Sequence, residues 1–232
     1  MMEIIPGKKR HFKDLGWLKT YWLFSFGEYY DSENLQHGKL RVFNDDVVKP
    51  DTGFPKHPHE EMEIVSIVLS GEMTHKDNMG NTITVKTDDV QRMTAGTGLF
   101  HSEWNYGNEP VHFYQIWIYP DKRKLSPSYD QRSFNPKAWH NRLTLLATDK
   151  NENDIVKLNT DGSIYRATLT VDKVVNYSPE SGRKTFVYVI DGRLLINGLE
   201  LVKGSQARIN DENNLEIGAK GKADFLLIDV PS

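Results

Sequence analysis

The chain has 232 residues, a formal net charge of -3 at pH 7, 38% hydrophobic, 26% charged and 11% aromatic residues, and no cysteine. That length admits one large β domain or two small ones with a substantial core, and the composition is that of a globular protein, not a disordered one. The balance excludes a general electrostatic affinity for nucleic acid, no apolar run is long enough to span a bilayer, and the lack of thiols removes disulfides, thiolate ligands and a cysteine nucleophile.

Met1 to Arg10 carries basic residues but no apolar stretch of the kind a secretory signal needs, so the expected compartment is the cytoplasm. From there to about Leu40 no helical period is seen. The aromatics Trp17, Tyr21, Trp22, Phe24, Phe26, Tyr29 and Tyr30 are expected mainly to pack under or across a barrel. Leu40-Arg-Val-Phe43 reads as a strand and Asn44-Asp-Asp46 as the turn after it.

Between Gly53 and Asn105 lie two pairs of metal-ligand residues, His57 with His59 and His101 with Glu103, each at a spacing of two. In a strand, residues i and i+2 share a face, so each pair presents two donors to one side. The surroundings read as strands. Glu63-Ile-Val-Ser-Ile-Val-Leu69 is β-branched and ends at Ser70-Gly71, Thr82-Ile-Thr-Val85 follows the turn signal at Met79-Gly-Asn81, and Gly96 and Gly98 bend the chain before His101. A β-meander that leaves after the first pair and returns with the second makes four ligands.

Imidazole and carboxylate without thiolate suit Fe(II), Mn, Ni, Co or Cu(II) better than a structural zinc. Three imidazoles and one carboxylate leave about two positions of an octahedral ion open, which points to catalysis. The other histidines attract no such role. His112 sits inside the apolar run Val111 to Tyr119 and is expected as a hydrogen-bonded structural residue, while His11, His37, His75 and His140 are assigned nothing.

Asp121 to about His140 is rich in Pro, Ser, Lys, Asp and Asn, the chemistry of a linker or of a strap over the first lobe anchored by Tyr129 and Phe134. Beyond it the pattern repeats weakly. Val187-Tyr-Val-Ile-Asp-Gly192 parallels Ile67-Val-Leu-Ser-Gly71, and Asn197-Gly198 parallels Gly80-Asn81. His140 is the last histidine, so the second lobe cannot rebuild a three-histidine site.

The stretch from Gly53 through His57-Pro-His59, Glu63 and Gly71 to Ala95-Gly96 and His101 to Asn105 resembles the two-part motif of cupins. Within them it is more similar to the pirin family, through Gly16-Trp-Leu18, Phe24-Ser-Phe26, Tyr29-Tyr-Asp31, Arg41-Val-Phe-Asn-Asp-Asp46, Met93-Thr-Ala-Gly96, His101-Ser-Glu103 and Tyr114-Gln-Ile-Trp117. Two positions depart from the pattern, Trp22 where many pirins carry histidine and Glu60 where a basic residue commonly follows the His-Pro-His.

The resemblance implies an all-β bicupin of two β-barrel (jelly-roll) lobes, an N-terminal metal-binding lobe over 1–134 and a C-terminal lobe without a metal site over 135–232. It implies His57, His59, His101 and Glu103 as ligands of one divalent transition metal, Fe(II) foremost, with Mn, Co, Ni, Cu or Zn as alternatives. The general cupin pattern offers Glu63 as rival fourth ligand, since by strand parity 57, 59 and 63 share a face; Glu103 is preferred and Glu63 expected beside the ligands. The implied activity is a quercetin 2,3-dioxygenase-like oxidation of a flavonol-like or other enolic or phenolic substrate by dioxygen, with Glu103 as general base. A monomer acting on a small aromatic molecule, with no nucleic-acid or membrane partner, is expected. The second reading is a non-enzymatic, metal-bound regulator working through protein contacts.

Overall fold

The computed structural model describes residues 1–232, and apart from two short 3-10 turns at Gly7–Lys9 and Pro136–Trp139 every regular element is a β-strand. None is a helix long and apolar enough to cross a membrane. The first lobe is built from two antiparallel sheets. One runs Ser128–Ser133, Asp89–Thr94, Glu63–Ser70, Val111–Ile118, Leu40–Val48, Leu18–Trp22, His11–Asp14; the other runs Thr52–His59, Leu99–Asn105, Glu72–Asp77, Thr82–Lys86. The second lobe is a nine-stranded sheet around the long strands Arg183–Ile196 and Leu215–Pro231. Register shifts at Val189/Asp191 and Gly192/Leu194 mark the bulges that bend this long pair.

The expected all-β, two-lobed architecture is present, with two corrections in detail. Asn44, Asp45 and Asp46 form no turn, because the strand Leu40–Val48 runs through them and pairs on both sides. Asn44 and Asp46 are buried by alternation, and pairing overrides their weak strand propensity. Met2–Ile5 joins the sheet of the second lobe, Met2 opposite Ile209, and does not join the N-terminal lobe expected from residue 1. Met2 and Ile4 pack on the apolar interior of the second barrel, which is the reason for the exchange.

The segment left as linker or strap is a strap. Ser128–Ser133 pairs along Asp89–Thr94, Tyr129 opposite Met93, and extends the first lobe's larger sheet.

The apolar material is distributed unevenly. The largest cluster, 21 buried residues, lies between the lobes and joins Phe43, Tyr114 and Ile116 to Phe186, Tyr188 and Ile228. The second barrel encloses a further cluster of 15, whereas the first encloses clusters of only 7 and 4. Other buried positions of the first lobe are polar: Thr20, Asn44, Asp46, Ser66, Gln91 and Gln115 accompany His101 and Glu103. A buried large apolar side chain contributes about 1.5–3 kcal/mol, so a polar interior forgoes stability.

Close strand approach at this site depends on one glycine. Gly53 faces Trp104 across the Thr52–His59 and Leu99–Asn105 pair, and a Cβ there would stand 2.2 Å from the Glu103 carbonyl oxygen. With hydrogen at this position the two ligand-bearing strands can close.

Candidate metal centre

Thr52–His59 is the edge strand of the four-stranded sheet and Leu99–Asn105 its neighbour, with His57 directly opposite His101 and His59 opposite Leu99. Pro55 and Pro58, which lack donors, suit an edge. The alternation aims His57, His59 and His101 at one point. The His57 Nε2 atom lies 3.0 Å from His59 Nε2 and 3.0 Å from His101 Nε2. His57 Nδ1 donates to the Pro55 carbonyl at 2.7 Å, and its Nε2 faces the other two rings.

Burial, reinforced by neighbouring His57, lowers the pKa of His59 to about 4, and burial with His57, His59 and His75 nearby lowers that of His101 further. Both rings are neutral at pH 7, the form that ligates metals. Nitrogen ligands about 2.1 Å from an octahedral ion stand about 3.0 Å apart at adjacent positions. The two 3.0 Å separations from His57, with all three nitrogens within 4.8 Å of one another, therefore suit a first-row divalent ion.

A register shift between His101 and Glu103 marks a bulge, after which Glu103 faces His75 of the Glu72–Asp77 strand. Glu103 is 2% exposed. Its Oε1 accepts from Gln91 Nε2 at 2.5 Å and its Oε2 from Gln115 Nε2 at 2.9 Å, while Trp117 Nε1 donates to Gln115 Oε1 and fixes that amide's orientation. Burial raises the Glu103 pKa, opposed by nearby His75 and His57 and by the two amide donors. His101 belongs to two groups of potential ligands, one with His57 and His59, the other with His75 and Glu103, each within 4.8 Å.

Glu63 is elsewhere. Glu60 to Met62 separate its strand from that of His59, and Glu61 has a φ of +51°, so the shared-face parity with His57 and His59 is broken. Glu63 Oε2 instead accepts from the Asn159 backbone at 2.9 Å and lies 4.0 Å from Arg92, tying the first lobe to the second. His112 contacts Asp45 Oδ1 at 2.7 Å on the side of the strand facing the other lobe. Tyr30 is left in water at 75% exposure, whereas Trp22 and Phe24 are buried. An edge-on series of rings runs from His59 to Trp117, Phe26 and Trp22 at centroid spacings of 4.9, 5.4 and 5.6 Å.

Sequence reasoning missed His75, Gln91 and Gln115. His75 is fully buried against His101. The available signal was His75-Lys-Asp77, a third pair at the two-residue spacing, together with the single glutamine Gln115 inside the mostly apolar run Val111–Ile118; nothing in Asp89–Thr94 singled out Gln91.

Asp46 adds a testable pH dependence. Burial, with Asp45 and Glu103 nearby, raises its pKa to about 8. A raised carboxyl favours folding in its protonated form, so that contribution is complete below the ordinary value near pH 4 and is lost as pH rises through 8. Within that window the slope is at most about 1.4 kcal/mol per pH unit. Denaturant unfolding at pH 5 and pH 8 should show a smaller loss of stability for Asp46→Asn than for the natural chain; equal losses would show that Asp46 is ionised when folded.

A family model described as Pirin matches residues 7–118, and one described as Quercetinase C-terminal cupin domain matches residues 145–230. Over 232 residues the chain is 35% identical to a protein of Escherichia coli K12 named quercetin 2,3-dioxygenase, covering 100% of this chain and 99% of that protein. It is 37% identical over 232 residues to a pirin-like protein of Caulobacter vibrioides, with 99% and 100% covered. The crystal structure of the bacterial pirin YhhW from Escherichia coli in complex with nickel(II) superposes with a TM-score of 0.94 at 34% identity, covering 100% of this chain and 99% of that one. With both lobes matched by family models and identity above one third sustained end to end, the chain belongs to the pirin family of two-lobed cupins.

Proposed function

We propose that the protein is a metal-dependent dioxygenase of the quercetin 2,3-dioxygenase type, acting on a flavonol-like or other enolic or phenolic substrate. The observation that carries this is the convergence of three imidazole nitrogens with a buried, doubly hydrogen-bonded carboxylate beside His101. The relative named quercetin 2,3-dioxygenase and the quercetinase family model point the same way. His57, His59 and His101 are the proposed ligands and Glu103 the fourth. Each carboxylate oxygen has two lone pairs, so the bonds from Gln91 and Gln115 leave one on each oxygen for an ion or a proton.

A divalent first-row ion held there supplies Lewis-acid stabilisation of a substrate oxyanion and a position for dioxygen. The chain's own residues do the rest. Glu103, made more basic by burial, accepts the proton of the substrate hydroxyl at a carboxylate oxygen while Gln91 and Gln115 hold it in place. Trp117, edge-on to His59 and braced by Phe26, provides an apolar wall for a planar ring.

The test is oxygen uptake with quercetin by protein stripped of metal and reloaded separately with Fe(II), Mn, Co, Ni or Cu(II). Metal-dependent uptake with release of carbon monoxide is the expected result. A stoichiometrically loaded protein that consumes no oxygen with any flavonol would overturn the proposed reaction.

A further inference from the structure

We propose that His75, oriented by Asp77, is a positioning residue of the metal centre: its Nδ1 accepts the His101 Nδ1–H and so holds His101 Nε2 as the donor to the ion. This rests on the metal-centre reading above. The chain of hydrogen bonds begins at Asp77. Its Oδ1 accepts from the backbone N–H groups of Met79 and Asn81, at 2.9 and 3.0 Å, and its Oδ2 accepts from Asn81 Nδ2 at 2.7 Å. A carboxylate so surrounded by donors is fixed as an acceptor.

His75 Nε2 lies 3.0 Å from Asp77 Oδ2 and must therefore carry the proton. On the metal-centre reading His101 ligates through Nε2, so its single N–H is on Nδ1 and needs an acceptor, which His75 Nδ1 is placed to supply. The ring nitrogen facing it is His101 Nδ1 at 3.5 Å. His101 is thus assigned the Nδ1–H tautomer, and its Nε2 points a lone pair toward His57 Nε2 at 3.0 Å, while His57 Nδ1 donates to Pro55. Hydrogen bonds from two separate directions, from Asp77 through His75 and from His57 to Pro55, turn the two Nε2 atoms toward each other.

The geometry around His75 is built to be rigid. It sits in the Glu72–Asp77 strand opposite Glu103, next to the Lys76 and Ser102 pair, and is 0% exposed. The Tyr129 ring from the strap covers it, with centroids 4.8 Å apart and planes 35° from parallel. Tyr129 also donates to Gln91 or Gln131, so the strap braces His75 and the partner of Glu103 together. Outer partners of ligating histidines generally influence metal affinity 10- to 100-fold.

The first measurement is nitrogen NMR of the full chain labelled in its histidine rings, with and without Zn(II). The expected result is a protonated Nδ1 on His101 and a protonated Nε2 on His75; a protonated Nε2 on metal-free His101 would overturn the proposal without touching the ligand assignment. The second is calorimetric titration with Ni(II) plus metal counting. His75→Phe, which keeps a ring under Tyr129, should bind one ion about 10- to 100-fold more weakly, and His75→Gln, whose amide oxygen can accept, should recover most of the affinity. Unchanged affinity in His75→Phe, or two ions in the natural chain falling to one in that variant, would overturn the positioning role, the latter making His75 a ligand. No Ni(II) bound by the natural chain would sink the metal-centre reading itself.

Discussion

His57→Ala is expected to abolish stable metal binding and, with it, oxygen uptake. The ring of His57 is the shared member of both 3.0 Å contacts, so its removal leaves His59 and His101 without the nitrogen between them. Loss of an outer-shell partner costs about 10- to 100-fold in affinity; loss of a ligand should exceed that, and metal content after exhaustive dialysis should fall to background. The metal-free protein should keep its melting temperature, because His57 is only half-buried and its removal relieves the crowding of imidazoles. The matched control is His112→Ala, which breaks a bond to Asp45 between neighbouring strands of the first lobe and should bind metal as the natural chain does. Equal loss of metal in both would mean the effect is one of general unfolding; retained metal in His57→Ala would remove His57 from the ligand set.

The clustering of the imidazoles was legible wherever side-chain pairing was local. A two-residue spacing means the same thing in any strand, so His57 with His59 and His101 with Glu103 could be set on common faces before their pairing was known. Antiparallel register then placed His57 against His101. Parity failed where the strand ended. Glu63 has the same even spacing as the ligands, but the left-handed residue Glu61 intervenes and starts a new strand in the other sheet.

Long-range placement was legible in part. The strand-and-glycine repeat ending at Gly192 foretold the second barrel, and the bend there is one only glycine tolerates, since a Cβ would stand 1.8 Å from the Lys222 carbonyl oxygen. The docking of Met2–Ile5 on Gln206–Asn210 was not, because 4 residues with no strong pattern find a partner some two hundred residues away by packing alone. The outer partners of the site were hidden for a related reason. Gln91 and Gln115 come from two different strands, and only the closed barrel shows that both reach Glu103.

Glu103→Gln should separate proton transfer from metal binding. The substitution conserves volume at a site with 2% exposure and removes a charge whose burial is unfavourable, which offsets the loss of one buried hydrogen bond, so the protein should still fold. Three histidines remain to hold an ion, and Ni(II) should still bind, more weakly. Turnover of quercetin should nevertheless fall by about 10²- to 10⁴-fold, the usual contribution of a positioned general base. The amide cannot take the substrate proton, and it cannot accept from both glutamines at once, since its nitrogen would face a donor of Gln91 or Gln115 and turn one of them away. The fall should be in kcat more than in KM, because the lost interaction acts as the proton moves and not as the ring docks against Trp117. Retained turnover would remove Glu103 from the reaction. Loss of the ion together with turnover would make ligation its dominant role, whereas an intact metal site with a collapsed kcat assigns the proton to Glu103.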